Sequence, residues 1–377
     1  MQTNTHTLLR VIILVVMCTF LSAASSVPNL TAASDVIVVA RIVGGNNTQQ
    51  SRELSFIVDH VLKGDLRPGV LVRAAVVAAA GRAQALLPPT LEAGLVFLKR
   101  VNDGSFSVLS AESGELGLRD AYLPLLPGQP AFSNPNSSPL EAVHQILVSS
   151  IERGSTDEQY LKRVVPKLSP THSPFATMAL RRWSESSSTQ LRLLAIGSLV
   201  GTGDGQAVIA LRADLMTSSS APLARATAGS LHAFRNPDPQ AVAALGDIAR
   251  SSRQSKEVQE AVAAALQNVH TRESLPALYS LLDSPHASVR QTAIAGLSAF
   301  ALQMRIPKDS ADAMEALDEV LNPGRRRKLP AADAPFDTEE VRQFAHFGPF
   351  VSPADEARTS TFWKNWCAVN FGLTGAP

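Results

Sequence analysis

The residue types that do chemistry are sparse in this chain, and their spacing argues against most of the reactions they could support. The eight histidines are His6, His60, His144, His172, His232, His270, His286 and His346. No two stand at the spacing that puts two imidazoles on one helical face toward a metal, and there is no His-Glu-x-x-His string. Of the two cysteines, Cys18 falls in an apolar run near the start, and Cys367 sits beside Trp366 in an apolar helix, where a thiol is packing material. Asp59 and His60 are adjacent on a candidate strand, so their side chains leave opposite faces and cannot act as an acid and base pair. Gly201-Thr-Gly-Asp-Gly205 joins two helical stretches and reads as a turn; no glycine-rich loop ends in the Lys-Ser or Lys-Thr that would cradle phosphate. In Gly197-Ser-Leu-Val-Gly201 the serine is not the middle residue, so the string is no nucleophile elbow. These patterns predict a protein that is not an enzyme and has neither a cofactor nor a metal.

Arg41-Ile-Val-Gly-Gly45 is similar to the activation site of trypsin-like proteases, but the Ala-Ala-His-Cys and Gly-Asp-Ser-Gly-Gly strings such a protease needs do not follow it. It reads as a strand entering a Gly-Asn turn. Charge narrows the partners further. With 34 basic and 33 acidic residues the net charge is +1, so no polyanion is attracted at long range and nucleic acid is not expected. Arg10, the apolar run Val11–Leu21 and the small residues Ser22-Ala23-Ala24 have the order of an export signal, and residues 1–24 are set aside from the fold on that expectation. The expected location is extracytoplasmic, periplasmic or secreted, with an anchored form if the segment is retained. No later stretch could span a bilayer.

From residue 30 to 120 the pattern has period two. Strands are expected over Asp35–Val43, Leu54–Leu62, Val70–Val77, Gly94–Val101 and Ser105–Ser110, the last pair joined by the Asn102-Asp103-Gly104 turn. Five short strands in so few residues make a small barrel or sandwich. Phe56-Ile-Val-Asp-His-Val-Leu-Lys-Gly64 and Gly94-Leu-Val-Phe-Leu-Lys-Arg100 resemble the netrin-like and OB-type barrels of exported proteins. The metalloprotease inhibition known for netrin-like domains uses an amino-terminal cysteine. After signal removal this chain would start at Ser25 or Ser26, so the resemblance implies a docking platform instead.

Pro124, Pro127, Pro130, Pro135 and Pro139 mark 121–139 as a linker, and the period then changes to 3.6. Four segments align: Leu191–Leu199, Leu223–Leu231, Val258–Leu266 and Val289–Leu297. Their starts recur at intervals of roughly thirty residues, each with an aliphatic residue at both ends and small residues inside. Helices with near-identical words accompany them at Gln206–Leu211, Gln240–Leu245 and Leu275–Leu282, separated by the breakers 201–205, 236–239 and 270–273. A helix pair of this length cannot bury its stripe alone, whereas stacked pairs share one elongated core, so 140–322 is expected to be an α-solenoid. The unit Leu275–Leu297 resembles the short type of HEAT repeat. That resemblance implies that Asp283 and Arg290 hydrogen-bond between repeats, with Arg192 at the same position but Ala224 and Gln259 not. A basic and proline-containing linker, 323–336, carries Arg325-Arg-Arg-Lys328. Residues 337–377 have capping-box spacing and form a helical cap, anchored by Phe362, Trp363 and Trp366.

The fold class read from the sequence is therefore multidomain, β then all-α, an armadillo-type superhelix behind a small barrel. The expected function is a non-enzymatic, exported scaffold whose concave face holds a protein or peptide. Short HEAT-like repeats also resemble those of bilin lyases, which implies a tetrapyrrole-handling alternative. A purely structural envelope protein is a third.

Overall fold

Val36-Ile-Val-Val-Ala40 and Gly94-Leu-Val-Phe-Leu98 are continuous apolar β-branched and aromatic runs, the pattern of strands buried on both faces. The computed structural model describes residues 27–47, 52–76, 85–86, 93–101, 104–109, 111–113, 118–120, 122–125, 137–153, 158–168, 173–216, 221–251, 254–304, 306 and 336–374. The expected export signal, most of the proline-rich linker and Arg325–Lys328 lie outside them. The chain divides into two units, Met1–Ser198 and Leu199–Pro377.

In the first unit, α1 (Val27–Ala33) precedes β1 (Val36–Asn47), β2 (Arg52–Lys63), β3 (Leu71–Val76), β4 (Ala85–Leu86), β5 (Ala93–Arg100), β6 (Phe106–Val108), β7 (Ala111–Ser113), β8 (Leu118–Asp120) and β9 (Leu123–Pro124). β1 pairs antiparallel with β2 along its whole length and with β5 over Val36–Arg41. β2 pairs with β3, β3 runs parallel to β6, and β6 returns antiparallel to β5. The circuit closes on β1, giving the five-stranded barrel that the period-two pattern implies. Three register shifts between β1 and β2 supply the local twist that closure demands. Val38, Ile42, Leu54, Phe56, Val72 and Val96 fill the interior, and along β3 burial alternates strictly. α1 packs on β5, and the Lys63 ammonium donates to the Thr31 and Ser34 carbonyls at its C-terminal end, 2.9 and 2.5 Å away, where a cation complements the helix dipole.

Two features of this unit depart from the sequence reading. The expected linker starts too early, since Tyr122–Leu125 are buried and β9 pairs with β5. Buried apolar side chains at Tyr122 and Leu123 outweigh the proline signal there. A second small sheet, β4-β8-β7, comes from strands of two or three residues, too short to show a period. The unit then continues through α2 (Pro139–Glu152), α3 (Glu158–Val164), α4 (Pro174–Ser184) and α5 (Thr189–Gly201), which reaches the unit boundary. The first helices thus share a unit with the barrel. Arg163 lies 5.7 Å from the Tyr122 ring centroid, and Tyr160 donates to Ser150 at 2.6 Å. Burial pushes the Tyr160 phenol up to about 12.

The second unit holds α6 (Gly205–Met216), α7 (Ala221–Ala228), α8 (Pro239–Arg250), α9 (Lys256–Val269), α10 (Leu275–Leu281), α11 (Ala287–Ala301), α12 (Glu339–Phe344) and α13 (Pro353–Phe371). α6, α8 and α10 stack as one layer and α7, α9 and α11 as the other, and α13 lies on α10 and α11. The helix starts are written in the sequence. Ser138-Pro, Ser173-Pro, Asp238-Pro and Ser352-Pro each place a capping oxygen before a proline at the first helical position. The segment Leu223–Leu231 is not one helix as its alignment suggests: α7 tightens into a 3-10 turn over Gly229–Ala233. Glycine at 229 weakens the continuing helix. Among the described residues, no helix is long and apolar enough to cross a membrane.

Candidate interaction surface

The aligned repeat positions form the seam between the layers. Leu231, Val258, Leu266, Val289 and Leu297 are fully buried, Leu199 nearly so, and Leu191 is half-buried; the Leu223 side chain lies outside the described set. Small residues within the helices serve close approach. A Cβ at Gly296 would stand 2.8 Å from Leu278 Cδ2 and 3.2 Å from the Gln267 Cα, so α11 meets both its own pair partner and α9 through that bare position.

Asp283 and Arg290 do not bridge one repeat to the next. The Arg290 Nε donates to Glu356 Oε1 at 2.6 Å, its other arm donates to the Ser284 carbonyl at 2.8 Å, and Asp283 pairs with Lys364. Both partners belong to α13. Among the described residues, the Asp and Arg of the pair α10 and α11 hold α13 instead. Of the three aromatic anchors, Trp363 is fully buried and its indole N–H donates to the Phe344 carbonyl at 3.3 Å, while Phe362 and Trp366 are half-buried. Phe362 stacks on Phe344 with centroids 4.3 Å apart. Trp366 packs edge-on against Phe300, Phe336 and Phe371 at 5.3 to 6.5 Å. Cys367 is buried, and burial alone pushes its thiol up to about 12, so it is an unreactive packing group.

The polar ladder between repeats runs through the breakers. The Asn236 amide donates to the Gly203 carbonyl at 2.8 Å, 33 residues away. The Asn268 amide donates to the carbonyls of His232 and Phe234 at 3.0 and 3.2 Å. His270 reaches the Met304 carbonyl at 2.8 Å, 34 residues on. The recurrence of breakers at the repeat interval was the available signal. It showed where the loops fall but not that their side chains cross to the neighbouring loop. Gly203 adopts φ +89°, and Asp204 accepts from the Gln206 and Ala207 main-chain N–H groups, so the glycine cluster is a turn and a helix cap.

The two layers present different outer faces. On the α6–α8–α10 layer, Asp247 takes Arg212 at 2.7 Å and Arg250 at 2.9 Å, so its charges satisfy one another. On the α7–α9–α11 layer, hydroxyls reach between helices: Ser284 donates to Gln259 at 3.0 Å, and Ser288 donates to Glu260. The Glu257 carboxyl is held below the usual range by its own main-chain N–H and the Ser255 hydroxyl, and burial lowers the His232 imidazole against the pull of Glu260. Gln259, Gln267, Gln291 and Thr292 remain half-exposed. Such a face offers adaptable hydrogen bonds with little net charge.

Residues 242–334 match the family model of HEAT repeats. This stretch is HEAT-like. The matched range begins within α8 and takes in α9, α10 and α11. Among solved structures, a crystal structure of an engineered protein from a structural genomics consortium is similar at 16% identity with a TM-score of 0.30. The match covers 61% of this chain and 66% of that one, just under two thirds of its length. No curated protein matches the chain in sequence.

Proposed function

We propose that the protein is a non-enzymatic interaction scaffold whose α7–α9–α11 layer binds a protein or peptide partner outside the cytoplasm. The observation that carries this reading is the HEAT-like stack itself, with α13 held on its last pair by Arg290–Glu356 and Asp283–Lys364. The half-exposed amides of Gln259 and Gln291 give the α7–α9–α11 layer hydrogen bonds to offer a partner. Three groups that could do chemistry hold structural positions among the described residues. The Cys367 thiol is buried, Asp59 accepts from Arg41 at 3.1 Å, and Ser288 donates to Glu260. The export-like opening, residues 1–24, supports the location.

To test this, the full chain would be cross-linked in an extracytoplasmic fraction, the captured partner identified and purified, and its affinity measured by titration calorimetry. Gln259→Arg and Gln291→Arg are expected to weaken binding about tenfold or more, as central interface substitutions do. Unchanged affinity in both variants, with loss on substitution of the barrel instead, would contradict the assignment.

A further inference from the structure

Three large apolar side chains stand exposed at one end of the barrel: Val70 at 41%, Leu71 at 54% and Val101 at 45%. Single exposed aliphatic residues are ordinary on a protein surface, whereas a group of them marks a contact. The strand register brings these three to the same end. Ala74 on β3 pairs with Phe106 on β6, and Phe106 pairs with Arg100 on β5, so the start of β3 lies beside the turn that follows β5. Arg100 also pairs with Asp65, which ties the β2–β3 loop to that turn. Burial alternates along β3, so Leu71 and Arg73 share its outer face.

The main chain at this end is bonded from within. The Gly69 N–H donates to the Val58 carbonyl at 2.7 Å, and the Val58 N–H donates to the Val70 carbonyl at 3.1 Å. The Val101 N–H donates to the Ser105 carbonyl at 2.9 Å, and the Gly104 N–H donates to the Val101 carbonyl at 3.0 Å. Gly69 and Gly104 both adopt φ +82°, which lets the chain turn tightly enough to make these bonds. Backbone groups paired in this way can leave water at little cost, the condition for entering a lipid layer. The same pairing withholds them from an added peptide strand. Phe106 is half-buried, with the Arg100 guanidinium 5.5 Å from its centroid, so it is no open platform for a nucleic-acid base.

The charge around the patch is basic. Lys63, Arg67, Arg73, Lys99 and Arg100 stand against Asp35, Asp65 and Asp103, the last counted from the sequence because residues 102–103 lie outside the described set. Lys63 is taken by the carbonyls that end α1, Lys99 by Asp35 and Arg100 by Asp65. Arg67 and Arg73 are exposed and have no ion pair among the described residues. A guanidinium binds phosphate oxygens through two parallel N–H groups, so these two flank the aliphatic group with phosphate-binding forks.

We infer that this end of the barrel docks on an anionic lipid bilayer, with Val70, Leu71 and Val101 entering the headgroup region and Arg67 and Arg73 holding lipid phosphates. The net charge of +1 supplies no long-range attraction, so the contact is short-ranged and weakens with added salt. It does not depend on what the α7–α9–α11 layer binds.

A polarity-sensitive fluorophore tests this, placed by Leu71→Cys, Val101→Cys or Met178→Cys in the full chain carrying Cys18→Ser, where the buried Cys367 stays unlabelled. Met178, exposed on α4, is the control. Vesicles of phosphatidylglycerol and phosphatidylcholine in equal parts should shift the emission to the blue at 71 and 101 and leave it unchanged at 178. The label reports its own surroundings, so residues 11–21 reaching the bilayer would not produce that pattern. Arg67→Gln combined with Arg73→Gln should raise the lipid concentration at half-maximal shift about tenfold or more, since each cation near an anionic surface adds to binding. Position 101 carries the test alone should Leu71→Cys fail to fold. An unmoved spectrum at 71 and 101, an equal shift at 178, or equal affinity for vesicles of phosphatidylcholine alone would overturn the docking. A shift with a vesicle-free extracytoplasmic extract and none with vesicles would overturn it in favour of a protein partner.

Discussion

The barrel and the helical array solve the burial problem in opposite ways. In the barrel, β1 is bonded to β2 on one side and β5 on the other, and closure joins Val36 to Leu98, about sixty residues apart along the chain. No strand there can be lost without opening the circuit. In the array, each helix meets neighbours one repeat away, and the polar ties span 33 to 36 residues. Damage in an array is expected to stay local, because stability is close to a sum of repeats and their interfaces. The same difference governs how each could be read. Loop recurrence reveals an array, whereas a barrel's pairings are set by contacts that no local pattern displays.

The sharpest way to break the comparison is one disruptive core substitution in each region. A Cβ at Gly94 would lie 2.3 Å from the Tyr122 Cδ2 and 3.0 Å from the Leu123 carbonyl. Gly94→Val is therefore expected to cost at least ~3 kcal/mol and to unfold the barrel as a whole in urea titration. Leu266→Ala, at a fully buried seam position, should cost about 3 kcal/mol. Hydrogen exchange should show its effect confined to α9 and its neighbours. A uniform loss of protection across the array would contradict its repeat-by-repeat character.

The third prediction concerns the cap. Arg290→Met leaves the nearly buried Glu356 carboxylate without its cation, an effect of about 2 kcal/mol given that the Arg290 side chain is 26% exposed. α13 should loosen first, seen as a red shift in the fluorescence of Trp363 and Trp366 before the array melts. The smallest effect is chemical. Burial raises the Cys367 thiol from 9.0 to about 12, so above pH 9 the unfolded chain gives up a proton that the folded one keeps. Stability should fall with rising pH there, by about 1 kcal/mol at pH 10. Thiol reagents should label Cys367 only after denaturation.

The fold class was legible because its signals are local. The alternation in Leu71–Val76, the Ser-Pro and Asp-Pro helix starts, and the recurring Leu at 199, 231, 266 and 297 all follow from short-range periodicity. The destinations of side chains were not legible. Asp283 and Arg290 have the residue types for a ladder between repeats, but which element stands beside the last pair is decided by how the chain returns through 336–374. Asn236 and His270 sit in breakers that look like ordinary loops, Asn268 lies in the last turn of α9, and their carbonyl partners carry no residue signature at all. β9 hid inside a proline-rich stretch for the same reason, since its two residues are recruited by pairing with β5.

The stacking of helix pairs is tested most directly by spin-label distances among the exposed positions Gln206, Gln240 and Pro276, which begin α6, α8 and α10, in a background lacking both natural cysteines. Layered helices stand about 8–10 Å apart, so the 206–276 distance should be close to twice the 206–240 and 240–276 distances. Three roughly equal distances, the signature of a bundle around one common core, would contradict the account.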